Sequence, residues 1–511
     1  MKNKSFLITF LSFSMVLAAC TKLDEKLYDQ VSATTFGINE TQLLSLVGPA
    51  YSSLGSENRD AIDNDYFFLQ EATTDEIMVP TRGTDWDDNG QWRELWLQTW
   101  GKSSASSGIM NAAWGWCSYG IGQINRIEAQ LQASSVVTPA KDQILAELKV
   151  LRALYHWAMM DLFGNVPIVS DFNTDPNTVV NKPRAEVFAF IESQINAALP
   201  NLTTTVDGST YGRVTKYTAY ALLAKLYLNA AVYTGTPKYT ECIAACDAII
   251  NANKYSLNAD FFASFSPTNN TTAQEIIFSV PTDKSLYGPG DYGGTVRMQL
   301  RTLHYSHRAT YNLGETPWNG FCSNADFYSK FNDPNDKRKF MFLVGQQYDA
   351  TGAPLYDGTT PIIITPTVTS LSAAQRNEGA RSIKYAPEKN SRRQQSNDWV
   401  IFRYGDILMM KAEALARQAG GNWALALPIV NQIRARANAA PLAALTADIF
   451  LDERAREFAW EGWRRNDMIR FGKFLDPKQN KTTTSAAFRN IYPIPQPRID
   501  ANPKLTQNPG Y

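Results

Sequence analysis

The sequence predicts a mainly α protein: a tetratricopeptide-like scaffold of helix pairs carrying a long irregular, loop-rich region with short strands. Five segments repeat apolar residues at helical spacing, glycine and proline breaks join four of them into two pairs, and residues 253–400 lose that periodicity. In Thr138–Leu162, Ile144, Leu148, Leu151, Tyr155, Ala158 and Leu162 alternate steps of four and three. Thr138 is a capping residue, Pro139 suits the first turn, and Gly164 with Pro167 marks the stop. Lys216–Val232 is a second helix, ended by Gly235-Thr-Pro237, and a third follows with Tyr239, Ile243, Cys246 and Ile250 on one face. Asp406–Ala419 and Ala424–Ala437 form another pair across Gly420-Gly421. A helix hairpin covers its apolar face only by stacking on a neighbour. Because the pairs lie far apart in sequence, a scattered scaffold is expected, not a continuous solenoid. Residues 51–117 and 253–400 are expected to be loop-rich, with β-like runs at Ile276–Val280 and Pro361–Thr365. Long irregular segments on a rigid scaffold are where binding function concentrates.

The amino terminus predicts export. Lys2 and Lys4 precede an apolar run, Phe6–Ala19, that ends in Leu17-Ala18-Ala19-Cys20. A positive start, a short apolar stretch and a small-residue cleavage site make a secretory signal at residues 1–19. The run is shorter than the roughly 20 apolar residues that span a bilayer. Cysteine after Leu-Ala-Ala resembles the bacterial lipobox, in which that thiol carries the lipid, so Cys20 is expected to be acylated and palmitate is among the expected chains.

Charge excludes another class. Without Lys2 and Lys4, the 49 basic residues fall to 47 against 49 acidic ones. That balance offers nucleic acid no concentrated basic face. Cys242 and Cys246 lie one helical turn apart with no histidine nearby, so they read as small buried hydrophobes. His304 and His307 lack an obvious third ligand, and no metal or other cofactor is expected.

The carboxyl-terminal hundred residues carry a family resemblance. Phe402-Arg-Tyr-Gly-Asp406 opens the fourth helix, Leu451-Asp-Glu-Arg-Ala-Arg-Glu-Phe-Ala-Trp-Glu-Gly-Trp-Arg-Arg-Asn-Asp467 follows, and the chain closes with Tyr492-Pro-Ile-Pro495 and Asn508-Pro-Gly-Tyr511. With Leu162-Phe-Gly-Asn-Val-Pro167 and Gly212-Arg-Val-Thr-Lys216, this set resembles the SusD/RagB family of surface nutrient-binding lipoproteins. The resemblance implies one SusD-like domain over residues 20–511, comprising an amino-terminal part (about 20–250), a ligand region (about 253–400) and a helical part (about 401–511). It also implies an outer-membrane location facing the exterior, a SusC-type TonB-dependent transporter as partner, and an oligosaccharide or polysaccharide ligand. Part of the family is RagB-like and takes peptides, which is the alternative. Read physically, Asp452 with Arg456 and Glu461 with Arg465 are acid-before-base pairs four apart, expected to support one helix.

Sugar recognition sets apolar ring faces against aromatic side chains, and hydroxyls against planar polar groups. Trp86 stands out in the acidic, glycine-broken loop Pro80–Gly90, with Asp63, Asn64 and Asp65 nearby in sequence. The resemblance favours Trp86 and Asp65, because family loops in this position lie at the binding face. Tyr287, Tyr292, Trp318 and Asn319 form a second candidate surface, and Arg381 is a candidate donor to hydroxyls. Trp92, Trp96 and Trp100 recur every four residues, the spacing of packing, not of an open platform. Asp85, Asp87 and Asp88 offer hard oxygens but lack the ordered spacing of a calcium loop. No nucleophile, metal-binding or phosphate-cradling motif appears, so a binder is expected and not an enzyme such as a glycoside hydrolase. Cys20→Ala is expected to yield an unprocessed or soluble chain in place of a detergent-extracted one, as membrane fractionation would read. A substituted chain still processed and anchored would refute the acylation site.

Overall fold

The computed structural model describes residues 40–55, 62–286 and 297–511. The signal at 1–19, Cys20, Tyr287 and Tyr292 lie outside the described residues. The fold is mainly helical with few short strands. Its principal elements are α1 (Glu40–Ser52), α2 (Phe67–Glu71), α3 (Gln91–Leu97), α4 (Ser107–Ala133), α5 (Pro139–Phe163), α6 (Arg184–Ala198), α7 (Lys216–Leu228), α8 (Ala230–Thr234) and α9 (Tyr239–Ile250). After a long irregular insertion come β1 (Ile276–Val280), β2 (Trp399–Arg403), α10 (Tyr404–Gln418), α11 (Leu427–Arg436), α12 (Ala447–Phe458) and α13 (Arg464–Arg470).

Local chemistry sets several boundaries. The Thr138 side chain accepts from the Ala140 N–H at 3.2 Å, and Gly164, at φ +74°, stops α5. Thr215 and Thr218 cap α7 reciprocally. The expected Lys216–Val232 helix breaks at Asn229, whose side chain donates back to the Lys225 carbonyl at 2.9 Å. The sequence reading missed α4, the longest helix among the described residues, whose start lies in the 51–117 stretch expected to be loop-rich. Its buried residues Ile109, Ala113, Cys117, Ile121, Ile124, Ile127 and Leu131 do carry helical spacing. Glycines and tryptophans obscured it. Gly120 is there because a Cβ would lie 2.2 Å from the Tyr155 ring of α5.

The scattered arrangement is corrected. Each of α4 through α7 packs on the next, α7 packs on α9, α9 on α10, and α10 on α11. Cys242 and Cys246 are buried free thiols on α9, and Lys411 of α10 pairs with Asp247 of α9 at 2.6 Å. The stack is interrupted in sequence and continuous in space. What permits this is β1 pairing antiparallel with β2, from Ile276 opposite Arg403 to Val280 opposite Trp399, which brings the two ends of the insertion together. Pro361–Thr365 forms only two-residue ladders.

The carboxyl-terminal motif also departs from the single helix expected. After α12, Ala459 is extended and Trp460 and Gly462 take φ +62° and +85° before α13 begins. The paired charges therefore have other partners. Asp452 meets Lys330 at 2.6 Å, Arg456 meets Glu453, and Arg465 meets Asp161. Glu461 binds Arg403 and Lys384. Arg403 also reaches Glu275 at 3.2 Å and Glu457 at 2.8 Å, and Arg338 reaches Asp336, Glu453 and Glu457. Apart from the Lys330–Asp452 pair, these groups are buried. Burial alone would raise the Glu457 carboxyl, but Arg436, Arg403 and Arg338 hold it below the ordinary carboxylate range.

Glu71 and Glu76, also buried, have no such cations in contact. Burial pushes Glu76 up to about 8, and burial with the nearby Glu76 raises Glu71. Glu76 accepts from the Trp460 N–H, which fastens α2's C-terminal flank to the α12–α13 break. A folded-state value above the unfolded one, about 4.3, means the native chain holds the extra proton between these limits, so stability falls as pH rises through that window. Glu76→Gln is expected to flatten the loss of thermal stability between pH 5 and pH 8. An unchanged slope would place the titration elsewhere.

Candidate binding face

Two loops distant in sequence meet at one face. Pro80–Gly90 turns tightly through reciprocal backbone bonds between Arg82 and Asp85, at 3.0 and 3.1 Å. Trp86, Asp88, Asn89 and Gly90 then take positive φ, which is strained for a residue as bulky as tryptophan. The other loop compensates. The Trp86 indole N–H donates to the Trp318 carbonyl at 2.6 Å, and its ring lies on Gly320, where a Cβ would fall 2.2 Å from it. Trp92 and Phe321 flank that ring at 5.9 and 5.5 Å. Trp86 is thus half-buried, a platform embedded on one side.

Trp318 is half-exposed, with its backbone N–H donating to the Leu300 carbonyl at 2.6 Å. Among the described residues its ring stacks on no other aromatic, and like Trp86 it is part-buried. The rim carries Tyr305, whose hydroxyl donates to Asp85, and Arg376, which lies 5.4 Å over the Tyr305 ring and bonds Asp357 at 3.2 Å. Tyr305 stood inside the segment expected to bind. Arg376 and Asp357 carried no signal, because only the fold brings them to Tyr305.

Several expected ligand contacts lie beneath this face and not on it. Asn319 is fully buried at φ +53°, and its side-chain oxygen accepts from Arg381 at 2.8 and 3.1 Å. Arg381 is also fully buried and donates to the carbonyls of Arg376, Glu378 and Gly379. Burial, reinforced by the nearby Arg82, lowers it to about 9. Arg82 donates to the carbonyls of Asn319 and Gly320 at 3.0 and 2.7 Å. Both guanidinium groups hold the loop from below. Asp63 and Asp65 are buried too, while Asn64 is half-buried. Arg301 donates to the Asp63 carbonyl and the Asn64 side chain at 2.8 and 2.6 Å. The Arg301 carbonyl in turn receives the N–H groups of Gly320 and Phe321, so these residues support the Trp318 loop one layer down.

The tryptophan stripe is packing. Trp92, Trp96 and Trp100 are buried, with their indole N–H groups on Asp88, the Gln479 carbonyl and the Tyr511 hydroxyl. Asp85, Asp87 and Asp88 are engaged separately by Tyr305, Arg93 and Trp92. His304 and His307 are buried, which pushes them down to about 3 and about 4. Among the described residues no group of three or more histidine, cysteine or acidic side chains is placed to hold a metal ion.

Residues 274–511 match the model of the SusD family, and residues 57–228 match a family described as starch-binding and associating with the outer membrane. The chain belongs to the SusD/RagB family. It is 26% identical to the starch-binding protein SusD of Bacteroides thetaiotaomicron, over 87% of this chain and 85% of that one. It is 24% identical to SusD-like protein P2 of Formosa agariphila, over 99% and 100%. Among solved structures, a laminarin-binding SusD-like protein superposes with a TM-score of 0.75 at 22% identity, covering 93% of this chain and all of that one. A surface glycan-binding protein A of B. thetaiotaomicron, in complex with laminarihexaose, superposes at 0.72 with 20% identity, over 92% and 99%. These likenesses confirm the SusD-like fold.

The geometry separates three tryptophans by stability. Trp96→Ala is expected to cost about 3–5 kcal/mol, as a large buried side chain does. Trp318→Ala should stay within about 0.5 kcal/mol of the native chain. Trp86→Ala should fall between them. Urea unfolding of the three variants measures this, and equal losses at Trp96 and Trp318 would contradict the placement.

Proposed function

We propose that this SusD/RagB-family chain is a surface lipoprotein of the outer membrane that binds an oligosaccharide or polysaccharide without cleaving it and delivers it to a SusC-type TonB-dependent transporter. The observation that carries this reading is the Trp86–Trp318 clamp. The Trp86 indole N–H donates to the Trp318 backbone carbonyl 232 positions away, so one hydrogen bond joins two loops that each carry a part-buried tryptophan. Planar polar groups of Arg376 and Asp357 and the Tyr305–Asp85 pair rim it. That combination suits a sugar chain, whose rings have apolar faces and whose edges carry hydroxyls.

Preorganisation favours binding over chemistry. The guanidinium groups behind the face bond loop carbonyls and Asn319, and Asp85 and Asp357 are held by Tyr305 and Arg376. A glycosidase needs two carboxylates free to act as acid and as base or nucleophile across the scissile bond. The roles by which the relatives are named, starch-binding and glycan-binding, support the same class. A lipid tether at Cys20 would keep the binder at high effective concentration over a pore. The partner follows from need, because a large glycan cannot cross an outer membrane unaided.

A glycan array followed by product analysis tests the reading. Retained binding with no released reducing ends is expected, and Trp318→Ala should weaken it by about 1–3 kcal/mol, by analogy with base stacking on aromatics. New reducing ends, or binding to peptides alone, would overturn it. Extraction in mild detergent should recover a large β-barrel protein with the chain. Repeated isolation of the chain alone, with glycan uptake unchanged after loss of the neighbouring transporter, would remove the delivery role.

A further inference from the structure

A second open cleft, of about 480 Å³, is walled by three segments, 206–211, 253–256 and 270–276. Its volume lies within the range of ligand pockets, and the binding face above uses none of its residues. The half-buried Tyr211 and the largely buried Tyr255 line it with aromatic rings, while Asn253, Lys254, Asn270 and Gln274 supply polar groups. The aromatic surface is fixed from behind. The Tyr255 ring meets Tyr217 edge to face at 5.7 Å. The Tyr211 hydroxyl donates to Asp398 and accepts from Ser279 at 3.2 Å. Asp398 is itself held by the Thr282 N–H at 2.7 Å, and burial raises its carboxyl to about 6.

Part of the polar lining is free, although the Asn253 amide donates to the Asn251 carbonyl at 3.1 Å. The Gln274 side-chain oxygen accepts from Ser256 at 2.9 Å, which leaves its amide N–H₂ without a protein acceptor among the described residues. The side chains of Asn270 and Lys254 likewise make no hydrogen bond there. One cation, Lys254, faces one anion, Asp207, so the cleft carries no excess charge.

We propose that this cleft is a second oligosaccharide subsite, taking a neutral glycan whose ring faces lie on Tyr211 and Tyr255 and whose hydroxyls meet Asn253, Asn270 and Gln274. The proposal rests on the glycan-binding reading and extends it to longer chains. Asp398, which anchors Tyr211, precedes Trp399. From Trp399 a run of ring contacts passes through Phe67, Phe68 and Phe321 to Trp86, with spacings of 5.4, 6.3, 5.3 and 5.5 Å. Packed groups therefore hold the subsite and the Trp86–Trp318 face at a fixed separation. A polysaccharide engaging one meets the other intramolecularly and gains by effective concentration, whereas a short oligosaccharide does not.

Hydrogen–deuterium exchange of the full mature chain with maltohexaose, laminarihexaose, cellohexaose and xylohexaose tests this. Protection is expected at 206–211, 253–256 and 270–276 with at least one hexasaccharide, persisting in Trp318→Ala. Gly208→Trp should abolish it by filling the cleft. At Gly208 a Cβ meets nothing within 4 Å and φ is ordinary, so the fold should tolerate the change. Asn270→Ala with Gln274→Ala is the milder variant and should weaken the same protection. Gly208→Trp should also lower affinity for the parent polysaccharide at least about tenfold while sparing hexasaccharide binding at Trp318. Protection confined to the Trp86 and Trp318 loops, or a Gly208→Trp chain that keeps cleft protection and polysaccharide affinity, would overturn the subsite and leave the main function standing. No protection at either face would overturn both.

Discussion

The structure depends on the buried ion network centred on Arg403 and Glu457. Arg403 sits at the end of β2, where the long insertion returns to the helix stack. It bonds Glu275 beside β1, Glu457 in α12 and Glu461 in the break after α12. One guanidinium thus ties the start of the insertion, its end and the carboxyl-terminal motif. Buried charges are expensive to desolvate, and losing one partner of such a set typically costs 3–5 kcal/mol because the remaining charges stay buried and unpaired. Replacing the whole set with apolar groups need not cost anything. Its value here is geometric: only one arrangement of β2, α12 and the strand-flanking Glu275 satisfies every charge.

That constraint reaches the binding face through backbone. Lys384, in the irregular region, donates to the Glu457 and Ala459 carbonyls and to Glu461, so the insertion is fastened to the same network. Nearby in sequence, Arg381 and Arg376 form the underside and the rim of the Trp318 loop. The irregular region has only two-residue ladders and isolated bridges of its own, and arginines donating to carbonyls add to its order. An arginine suits this because its fork presents five donors at fixed angles. The strained Trp86 loop persists for the same reason, since the Trp318 carbonyl and Gly320 leave its ring one place to sit.

The SusD-like frame and its exposed aromatics therefore divide the work. Helices hold invariant distances, while loops carry the ring faces and hydroxyl partners that meet a glycan. The cleft at Tyr211 and Tyr255 follows the same pattern, with aromatic rings fixed from behind and planar amides in its lining.

The sequence by itself determined the helical class, the ends of a few long helices and which tryptophans pack. Those features rest on local chemistry: a capping threonine, a glycine forced to positive φ, an apolar spacing. It also singled out Trp86 and Trp318, because a tryptophan in a glycine- or proline-broken turn has little else to pack on locally. It missed α4, where Gly120 and the tryptophans blur an otherwise regular spacing. Tertiary structure alone decided that α9 lies against α10 across the insertion, and that Trp86 meets Trp318. It also decided that Asn319, Arg381, Asp63 and Asp65 support the face from below. A polar residue in a loop looks the same in sequence whether its partner is a sugar hydroxyl or a buried carbonyl. Only its burial tells the two apart, and burial is set by contacts hundreds of residues away.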